Sequence, residues 1–134
     1  MTKQWHVLFC DPIVRLCPVV RFIEGLRPNH QVKMLKFLEI LEQMGPQLPR
    51  PYADILHDGI HELRLKLSGE QVRLLYFFCY ERYIILFEAQ YKHTDRVPES
   101  IINATLRYRQ DLLSRVDPEE LERMAREQPA ALSA

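Results

Sequence analysis

HELRLKLSGEQVRLLYFFCYERYIILFEAQY, residues 61–91, decides the fold. Leu63, Leu65 and Leu67 alternate with Glu62, Arg64 and Lys66, the period-two pattern of a strand with one apolar and one polar face. Ser68-Gly69-Glu70 is a tight connection. From Val72 to Cys79 the run is apolar on both faces except at Arg73, as in a central strand. Glu81-Arg82 marks the next turn, and Tyr83 to Tyr91 reads as a third strand. Turns this short join antiparallel neighbours, because a parallel return needs a dozen residues or more. The stretch is a meander.

Working outward, Asn29 to Met44 carries Met34, Phe37, Leu38, Leu41 and Met44 at helical spacing, with Lys33, Lys36, Glu39 and Gln43 off that face. Asn29 is the expected N-cap, and Gly45-Pro46 stops the helix. Pro18 to Leu26 predicts a short helix closed near Gly25, and Trp5 to Phe9 a first strand ended by Asp11-Pro12. Gln47 to Asp54, with two prolines, reads as an extended loop. Downstream, Pro98 opens a helix reaching about Ser114, with Ile101, Ile102, Ala104, Leu106 and Leu112 as packing residues. Asp117-Pro118-Glu119-Glu120 caps one more short helix, and the last residues, QPAALSA, are expected to fray. The order is strand, helix, helix, three strands, helix: an α+β layout with helices on one face.

A chain of 134 residues suits one domain with a real core, and 47% hydrophobic content excludes a disordered polymer. Leu74 to Tyr80, the longest apolar run, is far short of a membrane span, and the N-terminus lacks a secretory h-region. Three cysteines (Cys10, Cys17, Cys79) without C-x-x-C spacing argue against a disulfide framework and against zinc; they read as buried small hydrophobes in a reducing cytoplasm. Formal charge is zero, yet residues 117–134 set five acids against two arginines, leaving 1–116 mildly basic. That distribution permits a polyanionic partner without requiring one.

No metal motif survives. His57 and His61 are four apart, but Asp58-Gly59 breaks the helix that would align them. With four glycines there is no P-loop, no dinucleotide-binding turn and no Gly-x-Ser-x-Gly elbow. What remains is cationic and lies on the meander. Arg73, inside an apolar strand, needs a partner: a structural ion pair with Glu62 or Glu88, or an anion held in a concavity. Arg64 and Lys66 lie on the polar strand face, and Lys92 and His93 at the end of the last strand.

PVVRFIEGL (18–26), KMLKFLEILEQMGPQLPRPY (33–52), LHDGIHELRLKLSGEQVRLLYFF (56–78) and KHTDRVP (92–98) together resemble, in order and spacing, the phage-derived HigB-like branch of the RelE/ParE toxin superfamily. The resemblance covers most of residues 5 to 115. It implies a small curved antiparallel sheet with N-terminal helices on one face, in a toxin domain of residues 1–116, followed by an acidic helical tail, 117–134. It further implies a cytoplasmic, metal-independent and cofactor-free endoribonuclease that cuts messenger RNA on the ribosome, inhibits translation, and is held in check by a helix-turn-helix antitoxin.

In the chemistry so implied the ribose 2′-oxygen attacks the adjacent phosphate, and preorganised cations stabilise the phosphorane. By position, Arg64 and Arg73 are the expected phosphate clamps, and Lys92 or His93 the expected acid or base. Lys66, Arg96, Tyr76 and Tyr91 are expected to touch RNA, the tyrosines by stacking on a base or else as packing residues. The sequence departs from the usual K-K-T-x-K-T-P stretch: His93, Arg96 and Val97 replace two lysines and a threonine, and Glu88 lies close by. A non-nuclease protein-binding module is therefore the alternative. It would be a ParE-like topoisomerase inhibitor or an inactive phage-derived relative; a phage structural protein comes third.

Overall fold

In the computed structural model, residues 5–10 and 17–128 are described; the break expected at Asp11-Pro12 and the end of the chain from 129 lie outside them. A five-stranded sheet runs in the order β1-β5-β4-β3-β2. Its centre is the predicted meander: β3 (His61–Leu67), β4 (Glu70–Cys79) and β5 (Tyr83–Tyr91), antiparallel to one another. Two strands complete it. β1 (His6–Phe9) joins β5 in parallel, so the sheet is mixed rather than wholly antiparallel. β2 (Ala53–Ile55) pairs antiparallel to β3, inside the segment read as loop. Its prolines lie just upstream, outside the ladder, which is why a three-residue edge strand is tolerated there.

Among the described residues, four α-helices flank the sheet. α1 (Pro18–Glu24) and α2 (Pro28–Met44) cover one face through Val19, Ile23, Met34, Leu38 and Leu41, against Leu63, Leu65, Leu74, Tyr76 and Leu86. α3 (Glu99–Arg115) and α4 (Pro118–Glu127) cover part of the other face. There Ile102, Leu112, Leu121 and Met124 join Leu75, Phe77, Tyr83 and Ile85. The N-terminal helices thus pack on one face as expected, and the layout with every helix on that face is corrected, because the C-terminal pair covers the other. The reason is legible in β4 and β5, whose central residues are apolar on both sides and need two covers.

α2 starts at Pro28 with Arg27 at the cap, not at Asn29, and it ends as expected at Gly45, whose φ of 53° favours glycine. Packing makes the same demand, since a Cβ at Gly45 would overlap the Trp5 indole. Asp117 caps α4 by accepting from the Glu120 N–H at 2.8 Å. α4 carries acidic residues on its outside, yet Leu121 is 0% exposed. The Gln128 side chain that follows it bonds to β1, accepting from the Phe9 N–H at 3.0 Å and donating to the Val7 carbonyl at 3.3 Å.

The cysteine reading needs one correction. Cys10 and Cys17 form a disulfide, because the end of β1 and the start of α1 bring their Cα atoms to 5.6 Å. A seven-residue separation has no signature that would announce this. Cys79 is free and buried, and burial pushes its thiol up to about 11.

Candidate functional site

Register decides which polar groups meet. β3, β4 and β5 align Arg64 with Arg73 and Arg73 with Gln90 as one cross-strand row. The next row outward pairs Lys66 with Gln71, and the Lys92 N–H donates to the Gln71 carbonyl at 2.8 Å, carrying the ladder one residue past β5. The row on the other side aligns Asp54, Glu62, Leu75 and Glu88. Side chains two apart share a face. Glu62, Arg64, Lys66, Arg73, Gln71, Gln90 and Lys92 therefore stand together on the α3 side of the sheet, past the end of the apolar cover.

A bulge makes this possible. Leu75 pairs with Glu88 while Tyr76 pairs with Leu86, so Phe87 is the extra residue in β5. Phe87 instead meets Tyr108 of α3, ring centroids 4.9 Å apart.

Arg73 is 4% exposed. Its Nη2 donates to the Thr94 and Asp95 carbonyls at 2.6 and 2.8 Å, and its Nε lies 3.0 Å from Glu62 Oε2. Of the two carboxylates weighed for it, the partner is Glu62. Glu62, 2% exposed, also accepts from Arg64 Nε at 2.6 Å through its other oxygen. Its Oε2 has only the ion pair with Arg73, without a well-directed hydrogen bond. Arg64 reaches on to Asp54 at 3.3 Å and keeps 31% of its side chain exposed. Burial acts to raise the Asp54 carboxyl. The Arg50 hydrogen bond, the Ile55 N–H and the charges of Arg50 and Arg64 together hold it below its usual range.

Two arginines sharing one buried carboxylate do not form the open pair of clamps that position alone suggests. Arg73, almost wholly buried, ties the loop at Thr94 and Asp95 to the sheet. Arg64 is the guanidinium that remains partly open.

A cleft of about 230 Å³ opens beside it, lined by Leu56, His57, Glu62, Arg64, Asp95, Arg96, Val97, Glu99 and Ile102. Lys66, Lys92 and His93 are exposed on the same flank of the sheet or its adjoining loop. The tyrosines are not. Tyr76 is buried in the α1–α2 face, stacked on His61 with centroids 5.3 Å apart, and Tyr91 meets Phe22 of α1 at 5.2 Å. Neither is placed to stack on a base bound at the cleft, and burial pushes the Tyr76 hydroxyl well above its ordinary value.

Two groups escaped sequence reasoning. Glu62 was visible only as a candidate neighbour of Arg73. His57 was weighed as a metal ligand beside His61, but the fold separates the two: His61 stacks in the aromatic cluster, while His57 borders the cleft. His57 Nδ1 lies 2.7 Å from Asp58 Oδ2 and Nε2 lies 3.0 Å from Glu99 Oε2. The hydrogen bonds to Asp58 and Glu99 raise the imidazole above its ordinary value. Glu88, half-buried, has its carboxyl raised by desolvation against a stabilising contact from the Ala89 N–H. Among the described residues no three His, Cys, Asp or Glu side chains are placed to hold a metal, and no helix is long and apolar enough to cross a membrane.

The chain belongs to the family described as phage-derived Gp49-like proteins, whose model matches residues 21–109. That span holds α1 from its second turn, all of α2, the β2–β5 sheet and the first two-thirds of α3. The family is toxin-like and part of the RelE/HigB-type toxin group. No curated protein matches the chain.

Proposed function

We propose that this protein is the toxin of a type II toxin–antitoxin pair, of the HigB-like branch, and that it inhibits translation in the cytoplasm by cutting messenger RNA on the ribosome. The observation that carries the reading is the cross-strand row of Arg64 and Arg73, flanked on the same face by Lys66 and Lys92. Of these, Arg64, Lys66 and Lys92 reach solvent at one sheet end and give a phosphate-attracting surface despite a net charge of zero.

On this reading the labour is divided differently from what position alone suggests. Arg64, with its open edge, stabilises the phosphorane. Arg73 is a positioning residue: by holding the Thr94 and Asp95 carbonyls it fixes the loop that carries Lys92, His93 and Arg96. In the reaction the 2′-oxygen forms a bond to phosphorus, and the bond to the 5′-oxygen breaks. A base on the loop takes the 2′ proton, and an acid there returns one to the leaving oxygen. Lys92 or His93 fills these roles. Lys66 holds the flanking strand, and Arg96 contacts the RNA from the loop. A helix-turn-helix antitoxin restrains the activity by covering the cationic face with acidic side chains.

The test is expression of wild type, Arg64→Ala and Lys92→Ala, with message ends mapped on translating ribosomes. Cleavage by wild type that falls a hundredfold or more in Arg64→Ala supports the reading; an oxyanion-type donor contributes about 10²–10³ in rate. No cleavage by wild type overturns it.

One observation favours a second reading. Glu62 partly neutralises both arginines, which an inactive relative or a ParE-like inhibitor acting through protein contacts would tolerate. In that case growth arrest survives Arg64→Ala and no messages are cut.

A further inference from the structure

The cleft beside Arg64 differs in character from the cationic face that it adjoins. Its walls carry Arg64 and Arg96 against Glu62, Asp95 and Glu99, with Leu56, Val97 and Ile102 supplying apolar surface. A phosphate entering would meet three carboxylates. The cleft therefore suits a neutral group that offers donors and acceptors together. Its volume of about 230 Å³ lies below the roughly 300–1,000 Å³ of pockets for drug-sized ligands, and is suited to a single flat heterocycle.

Two of its charges are unspent. Glu62 is committed to Arg64 and Arg73, and Glu99 to His57. The Asp95 carboxylate and the Arg96 guanidinium, adjacent and exposed, form no ion pair with each other or with any other described residue. Their main chain is nonetheless fixed. Arg73 holds the Asp95 carbonyl at 2.8 Å, and the Thr94 hydroxyl donates to the Arg96 carbonyl at 2.5 Å. At the floor, the buried Glu62 Oε2 lacks a directed hydrogen bond. An opposite-charge pair on a pinned backbone, left open beside the apolar part of the cleft, is a recognition element in search of complementary edges.

We propose that this cleft binds one unstacked base of the RNA and selects guanine. Guanine alone among the four bases presents two adjacent donors, N1–H and the N2 amino group, that a carboxylate accepts side by side; Asp95 is that carboxylate. Guanine also presents O6 and N7, the acceptors that arginine meets best, and Arg96 donates to them. Leu56, Val97 and Ile102 pack against the ring. Adenine offers Asp95 a single amino group and an acceptor that repels it. The proposal rests on the reading of the neighbouring face as an RNA surface, with the phosphate beside the base lying toward Arg64 and Lys66.

The test uses the full chain and four labelled uridine heptanucleotides whose central base is G, A, C or U, with binding read by fluorescence anisotropy. The G oligonucleotide is expected to bind about tenfold or more tightly than the A one, in line with a bidentate base contact. Inosine, which lacks the N2 amino group, should fall between them. Asp95→Asn should erase the preference, and as an exposed substitution it should leave far-ultraviolet circular dichroism unchanged. Equal affinity for all four bases, or no binding at all, overturns the proposal; if messages are still cut, the nuclease reading stands without it. A guanine preference abolished by Asp95→Asn, in a protein that cuts no message, upholds the cleft and removes the nuclease.

Discussion

Glu62→Gln tests the electrostatic core on which the site is built. Gln keeps the shape and one acceptor but removes the charge that lies 2.6 Å from Arg64 Nε and 3.0 Å from Arg73 Nε. The Arg64 arm is one-third exposed and has Asp54 in reserve, so its loss contributes at most about 1 kcal/mol. The Arg73 arm differs, because both partners are almost fully buried. Removing one member of a buried pair costs roughly 3–5 kcal/mol, since the other charge stays behind uncompensated. Arg73 still has two carbonyl acceptors, which places the expected loss near the lower end, about 3 kcal/mol. Against a total stability of roughly 5–15 kcal/mol this is a large fraction. In urea, with a slope of about 1–3 kcal/mol/M, the midpoint should drop by about 1–3 M. The double variant Glu62→Leu, Arg73→Met removes both charges, and its freed 94–95 carbonyls belong to an exposed loop that water can reach. It should be more stable than Glu62→Leu alone. A loss under about 1 kcal/mol for Glu62→Gln, or a double variant whose losses simply add, would refute the view that Glu62 and Arg73 are energetically one unit.

Three further outcomes follow from particular contacts. His57, raised by Asp58 and Glu99, should add stability that is complete below its unfolded value of about 6.5 and lost as pH climbs through its higher folded value. The melting-temperature gap between wild type and His57→Gln should thus shrink with rising pH, and a gap that widens contradicts the assignment. Gly45→Ala combines a positive φ with overlap of the Trp5 ring, and should cost about 2–4 kcal/mol in urea unfolding; a neutral result would mean the α2 terminus relaxes freely. Leu121→Ala should cost about 2–5 kcal/mol in a single transition, because α4 is part of the second core. A change below 0.5 kcal/mol, on the order of a surface substitution, would make α4 a dispensable appendage.

The meander was legible because alternation in 61–67 and the short turns at 68–70 and 80–82 are local signals, and local signals survive without an alignment. The same holds for α2, α3 and the Asp117 cap. β2 was missed because three residues beside prolines carry no periodicity. The parallel pairing of β1 was missed because nothing within four residues says which strand they will join. At the site, the sequence placed Arg64 and Lys66 on one polar strand face and Arg73 inside the next strand, but it could not show that the register brings Arg73 beside Arg64 or which carboxylate Arg73 takes. Nor could it show that Tyr76 and Tyr91 point to the opposite face, which depends on register and on the bulge at Phe87.

Amino-acid order alone therefore determined the antiparallel core, its polar edge and the resemblance to a phage-derived toxin group, since each is encoded by neighbours along the chain. Tertiary structure alone decided that Glu62 ties both arginines, that His57 meets Glu99 across 42 residues, and that Asp95 and Arg96 stand unpaired over a cleft. A charge's role is set by what comes within a few ångströms of it, and those distances exist only once remote segments have packed together.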